Sequence, residues 1–352
     1  MTAGGEERLL GAAAPAASSG AEAPSLRAVR LGKWYGRVTG LQAVSFHLGP
    51  GIWGLLGPNG SGKSTLLGLA AGLLRPSLGE LRVCGEAPFG GAPVLARIGL
   101  CPEQDRLPPE MTALQWVSGL GRLGGMAAGE ATERAAEVLE RLRLGEVMER
   151  PMGTYSRGMR QRAKLAQALV HAPDVLLLDE PLSGTDPLSR QAILDEVRRV
   201  GERGGLVLFS THVLPEVEAL TDRVVVLVRG QLVGQGSVEE LREALEGQPR
   251  RVDVRAADPR ALAAAMLRVE GVVGAELLDG GWVRLQVEAP EPVYAALTAL
   301  ALEGHRIEAI TSPDDSVEAL FHLLVEHASR MAGTGADAAV GAVDRRVAGG
   351  AS

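Results

Sequence analysis

Lysine is nearly absent from this sequence. Of 36 basic residues only three are lysine, Lys33, Lys63 and Lys164, so each place that uses lysine instead of arginine invites a chemical reason. Cysteine is equally scarce. Cys84 and Cys101 alone exclude a disulfide framework or a cysteine-rich zinc site, and both read as small buried hydrophobes in a reducing compartment. No apolar run approaches the roughly 20 residues that span a bilayer. The uncharged stretch 41–62 is broken by Gly49, Pro50, Gly51, Gly54, Gly57 and Pro58. The N-terminus carries no basic segment followed by a Leu-rich core, which predicts no secretory signal and a soluble chain. Any membrane role then needs another polypeptide. A net charge of −7 argues against a general nucleic-acid binder. A hydrophobic content of 46% excludes wholesale disorder.

What is present suggests two domains between two tails. Residues 1–24 and 329–352 are rich in small residues without periodicity and read as flexible tails. Between them, short β-rich runs alternate with helical patterns. "GIWGLLG" (51–57) leads into "KSTLLGLAAGLL" (63–74), and "VLLLDEP" (175–181) has the continuous apolar character of a strand buried on both faces. "GLVLFSTH" (205–212) and "RVVVLVRG" (223–230) repeat that style, with amphipathic stretches at 131–144 and 189–203 between. This alternation predicts an α/β sheet covered by helices on both faces over residues 25–247. Beyond a boundary near residue 248, the order strand, helix, strand, strand, helix, strand, helix predicts a small ferredoxin-like α+β domain over 248–328. Gly280-Gly281 sits where its central hairpin must turn. No cluster of catalytic groups marks this second domain, which reads as a packing or regulatory module.

"GPNGSGKST" (57–65) fits the phosphate-loop pattern and lies between a predicted strand and helix, where that pattern must lie. Its glycines let backbone N–H groups turn inward around phosphate oxygens, and the following helix N-terminus adds partial positive charge. The nucleotide-binding candidates are Asn59, Gly60, Ser61, Gly62, Lys63, Ser64 and Thr65. Lys63 is a compact cation suited to β- and γ-phosphates, a place where a wide planar guanidinium fits badly. Ser64 offers a hydroxyl to magnesium.

Asp179 and Glu180 lie at the C-terminal end of the strand expected in "VLLLDEP" (175–181), at the edge where open α/β sheets bind ligands. Asp179 reads as the second magnesium-holding element of a phosphate-loop NTPase. Glu180 is expected to point elsewhere, because side chains alternate along an extended chain, and so to orient and deprotonate an attacking water. His212 ends a second apolar run and is placed to meet a γ-phosphate. The other five histidines, His47, His171, His305, His322 and His327, read as structural.

A phosphate loop, then "YSRGM" (155–159) opening a helix, then "VLLLDEP", then a histidine: this order resembles the ATP-binding subunits of ABC transporters over roughly residues 26–240. The resemblance implies a nucleotide-binding domain with a helical subdomain, binding ATP and Mg2+ and hydrolysing ATP. It implies that Tyr35 stacks on adenine. It implies that "YSRGM" is the signature usually written LSGGQ, with Ser156 and Gly158 acting in trans on ATP held by a second domain. Tyr155, Arg157 and Met159 depart from that pattern. It places Asp186 of "LSGTD" in a loop crossing the dimer interface. In "GLCPEQD" (99–105) it places Glu103, in preference to Gln104, where the family has a glutamine near magnesium.

The variant signature, the Pro-Glu pair and the C-terminal domain look most like ABC-2-type exporter ATPases. Such a subunit works on the cytoplasmic face of the membrane with a separate membrane-spanning permease. It also needs a second nucleotide-binding domain, either another copy or a paralogue, and no nucleic acid. Residues around "LPPEMTALQWVSGL" (107–120) would then help receive a permease helix. A soluble ABC ATPase acting on nucleic acid or the ribosome is the alternative, but the chain has one set of motifs and no sustained heptads. A phosphate-loop kinase or GTPase would leave Ser156, Gly158 and His212 unexplained.

Overall fold

The computed structural model describes residues 23–104, 106–244, 250–288, 290–312 and 321. The chain falls into two compact units that divide between Ser237 and Val238. The boundary expected near residue 248 lies outside the described residues, as does nearly all of the last expected helix.

The first unit holds two sheets. Strands β1 (Leu26–Tyr35), β2 (Val38–Leu48) and β4 (Leu78–Val83) form an antiparallel sheet in the order β2-β1-β4. Alternation of buried and exposed residues along β1 and β2 marks a sheet with one covered face. The strand–helix alternation of the sequence did not foreshadow this layer. The second sheet contains β3 (Gly51–Leu56), β5 (Ile98–Cys101), β6 (Val175–Asp179), β7 (Leu206–Ser210), β8 (Arg223–Val228) and β9 (Gln231–Ser237), in the order β5-β6-β7-β3-β8-β9. All its pairs are parallel except β8–β9. Every residue of β6 and β7 is buried, as a central parallel strand requires.

Helices follow the strands that feed the site. Lys63–Ala70 follows β3, and its end is set by Gly72 at φ 71°, so it stops short of the predicted residue 74. Ala113–Leu123 opens with a capping box between Thr112 and Gln115. Ala128–Arg141 starts three residues before the predicted pattern and ends as Arg143 turns left-handed at φ 56°. Arg157–Leu169 is capped by Ser156, whose hydroxyl accepts from the Met159 N–H. Pro187–Glu202 is capped by Asp186. Each such cap is worth about 1 kcal/mol.

The second unit carries β10 (Arg250–Ala256), β11 (Val272–Leu277), β12 (Trp282–Val287) and β13 (Ile307–Thr311), in the order β11-β12-β10-β13, antiparallel throughout. Helices Pro259–Met266 and Pro290–Leu302 follow β10 and β12. Leu262, Met266, Val293 and Leu297 bury against the inner residues of β10 and β12, including Val252, Val254, Val283 and Leu285. Gly280 and Gly281 turn the β11–β12 hairpin with φ 72° and 83°.

Candidate functional site

The phosphate loop leaves the end of β3 in the middle of the parallel sheet. Gly60 and Gly62 take φ of 78° and 107°, and a Cβ at Gly62 would lie 2.4 Å from the Gly40 carbonyl oxygen. The loop thus needs glycine there. Gly62 is also the N-cap of Lys63–Ala70 and brings no side-chain acceptor, leaving the first N–H groups of that helix for another acceptor. The Ser61 hydroxyl is buried without a hydrogen-bond partner among the described residues. Lys63 is 7% exposed, and its Nζ donates to the Gly57 and Pro58 carbonyls at 2.7 and 3.2 Å. Burial pulls its pKa below the usual lysine value, against the opposing pull of Glu180, Asp179 and Glu103. Three carboxylates from two separate segments therefore act on one ammonium.

Ser210 organises the carboxylates. It pairs with Asp179 across β6 and β7, and its hydroxyl donates to Asp179 Oδ1 at 2.5 Å. The Ser210 hydroxyl oxygen also accepts the Glu180 N–H at 3.1 Å, and the Ser210 carbonyl accepts it at 3.2 Å. Glu180 does not continue the strand. It adopts φ 49°, a left-handed conformation that costs a non-glycine residue about 1–3 kcal/mol. Its direction relative to Asp179 thus comes from a strained turn and not from strand alternation, which corrects the expected geometry. His212 lies just past β7 and brings Nδ1 to 2.9 Å from Glu180 Oε1 and 3.0 Å from Oε2. The glutamate side chain is 11% exposed and the imidazole 58%. Behind them, Thr211 donates to the buried Glu216 at 2.6 Å, and Arg190 donates to the same carboxylate at 2.6 Å.

Tyr35 ends β1 with its hydroxyl 3.4 Å from Thr65 Oγ1, at the start of the phosphate-loop helix. The ring is 45% exposed, and Lys33 Nζ lies 5.4 Å from its centroid. Glu103 is exposed just after β5. The helix opened by Ser156 approaches the Asp186 loop of its own chain so closely that a Cβ at Gly158 would meet Asp186 Oδ2 and Ser189 Oγ at 2.7 Å each. Asp186 accepts from the Ser189 N–H at 2.9 Å and its hydroxyl at 2.6 Å, which hold its carboxyl below the usual range.

The signature's departures also find partners. Tyr155 Oη donates to the Val147 carbonyl at 2.7 Å. The Arg157 guanidinium rests over Gly184, where a Cβ would come within 2.2 Å of its Cζ, and reaches Ser183 Oγ at 3.3 Å. Arg162 donates to the Leu142 and Arg143 carbonyls at 2.9 Å each. These basic residues of "YSRGMRQR" are therefore engaged within the chain. The sequence reading missed Ser210 and the contact of Arg157 with Gly184, and neither carried a sequence signal.

Comparison with known proteins identifies this arrangement. A family model described as "ABC transporter" matches residues 41–183. The linearmycin resistance ATP-binding protein LnrL of Bacillus subtilis is 38% identical over 225 residues, spanning 63% of this chain and 72% of the relative. The chain belongs to the ATP-binding proteins of ABC transporters. The daunorubicin/doxorubicin resistance ATP-binding protein DrrA of Streptomyces peucetius is 34% identical over 278 residues, or 78% of this chain and 84% of that one. Among solved structures, an ATP-binding subunit of an ABC transporter superposes with a TM-score of 0.58 at 27% identity, covering 62% of this chain and 92% of its own. A dimeric bacterial ABC transporter cassette reaches 0.56 at 25% identity, covering 60% and 98%. This ABC ATPase therefore binds nucleotide and hydrolyses ATP in the service of transport.

Proposed function

We propose that this chain is the ATPase of an ABC-2-type exporter, driving a separate membrane-spanning permease through ATP-dependent pairing of two nucleotide-binding domains. The observation that carries the reading is the convergence of Lys63, Asp179, Glu180 and Glu103 at the ends of adjoining parallel strands, with His212 bonded to Glu180. Relatives named for drug resistance and Nod factor export support an outward direction. Among the described residues no helix is long and apolar enough to cross a membrane. The subunit then works on the cytoplasmic face through its permease.

In this reading the unpartnered Ser61 hydroxyl and the uncapped N–H groups of Lys63–Ala70 receive phosphate oxygens, while Tyr35 stacks on adenine. Among the described residues no group of three or more His, Cys, Asp or Glu could hold a metal unaided. That suits magnesium, which takes one or two carboxylates together with phosphate oxygens. Ser64, Asp179 and Glu103 are the residues that would hold it, and when bound it neutralises charge on the phosphates. Glu180 accepts a proton from water as the water oxygen bonds to the γ-phosphorus. The bond from that phosphorus to the bridging oxygen breaks, and ADP leaves with the electron pair. His212 restrains Glu180 and faces the γ-phosphate. Ser156 and Gly158 of a second domain complete the site from the other side, where a helix N-terminus stabilises developing charge. Asp186 lies at that seam.

Glu180→Gln tests the scheme. It should lower ATP turnover by about a hundredfold or more while sparing ATP binding, and so accumulate an ATP-bound dimer. Light scattering with Mg-ATP should then read doubled mass, and Ser156→Arg in the same protein should abolish the doubling. A protein that binds no ATP would refute the site. One that binds ATP but keeps the mass of a single chain in both variants would refute self-pairing.

A further inference from the structure

Two of the three lysines have evident partners: Lys33 Nζ donates to the Arg75 carbonyl at 2.9 Å, and Lys63 belongs to the phosphate loop. Lys164 is assigned nothing by the site described above. It sits mid-way along Arg157–Leu169 and is 3% exposed. Its Nζ donates to the Pro102 carbonyl at 3.0 Å and to the Glu103 carbonyl at 2.9 Å. One turn earlier on the same helix face, Gln161 Nε2 lies 3.9 Å from Cys101 Sγ. The end of β5 and the two residues after it are thus moored to one helix by two side chains.

Taking an ammonium out of water costs several kcal/mol unless its new partners replace the solvent. Here two consecutive carbonyls do so. A compact ammonium with three rotatable donors reaches both.

We propose that Lys164 is a positioning residue that fixes the Pro102–Glu103 segment to the signature helix, and through it sets the approach of the Glu103 carboxylate to the Lys63 site. The inference rests on the reading of Glu103 as a site residue. Its consequence is mechanical. Ser156, which serves the ATP of a second domain, and Glu103, which serves the ATP of its own, ride on a single rigid helix. A displacement imposed at one site on closure reaches the other.

The test uses the full chain with Lys164→Met, which keeps stem length and removes the donors, alone and combined with Glu103→Ala. In nucleotide-free protein, backbone hydrogen exchange at Glu103 and Gln104 should quicken about tenfold, while amides of β6 stay protected. Binding of ATP without Mg2+ should be unchanged. The rate constant kcat should fall about tenfold, and the double variant should be no slower than the slower single one, because both changes act through one carboxylate. Multiplying effects, or unchanged exchange at 103–104, would overturn the inference. If Glu103→Ala alone leaves kcat and the Mg2+ requirement untouched, the reading of Glu103 fails and takes the proposal with it. If Glu103→Ala is slow but Lys164→Met is not, only the role of Lys164 fails. Should Lys164→Met not fold, Lys164→Gln must show the same non-additivity and the same exchange pattern, and wild-type behaviour in it is equally decisive against the role.

Discussion

The two units bury polar groups very differently. Among the described residues, Ser61, Lys63, Gln161, Arg162, Lys164, Asp179, Ser189, Glu196, Ser210, Thr211 and Glu216 are buried in the first unit, and Asp253 alone in the second. Burying such groups is unfavourable unless each is paired. A domain that only needed to fold would use apolar side chains, as the second unit does around Val254, Leu262 and Leu285. The first unit instead stabilises a row of polar groups by mutual hydrogen bonds along the ends of β6 and β7. In the second, Arg284 closes a bidentate pair on Asp253 at 2.9 and 2.8 Å. Buried polarity is therefore concentrated in the unit that carries the candidate site.

The largest effect should come from the buried cation. Lys63→Ala should lower ATP turnover by about a hundredfold or more, the scale of losing one preorganised charge at a phosphoryl-transfer site. Lys63→Arg should do nearly as badly, because a guanidinium cannot occupy the compact place between the Gly57 and Pro58 carbonyls. Steady-state phosphate release measures both. An active Lys63→Arg enzyme would mean that the lysine there is not a chemical requirement, and the contrast between the units would lose its strongest case.

How far the sequence disclosed this arrangement can be argued residue by residue. Lys63 and Asp179 were legible because a phosphate loop and an apolar strand carry their own flanking pattern, and those flanks dictate where a sheet must place them. Glu180 was legible as a residue but not as a conformation. Its left-handed turn follows from Ser210, which is 30 residues away in sequence and meets it only once β6 and β7 pair. The contact of Arg157 with Gly184 was hidden for the same reason, since two loops meet there through tertiary packing alone. In the second unit the order of strands and helices was legible from alternating patterns and the Gly280-Gly281 turn. The antiparallel sheet of β1, β2 and β4 was not, because long strands with one exposed face carry no continuous apolar run.

A smaller effect probes the scaffold. Arg284→Met leaves the Asp253 carboxylate without its bidentate partner and should destabilise the second unit by about 2 kcal/mol. Thermal unfolding should then show a lowered transition for that unit. ATP turnover, assayed below the transition, should be unchanged. A turnover that falls along with the melting temperature would show that the second unit supports the reaction directly, and the separation between site and scaffold would have to be redrawn.

The smallest effect should fall on an exposed group of the first unit. Tyr35 is 45% exposed and touches the phosphate-loop helix through its hydroxyl, 3.4 Å from Thr65. Stacking by an aromatic ring is worth about 0.5–1.5 kcal/mol, so Tyr35→Ala should raise the KM for ATP about three- to tenfold and leave kcat unchanged. That pattern marks binding energy shared equally by the ground and transition states. Tyr35→Phe should restore most of the affinity, because the ring and not the hydroxyl does the stacking. A fall in kcat with unchanged KM would place Tyr35 among the groups that hold the phosphate-loop helix. Partial exposure would then no longer distinguish a residue that only binds from the buried ones that act.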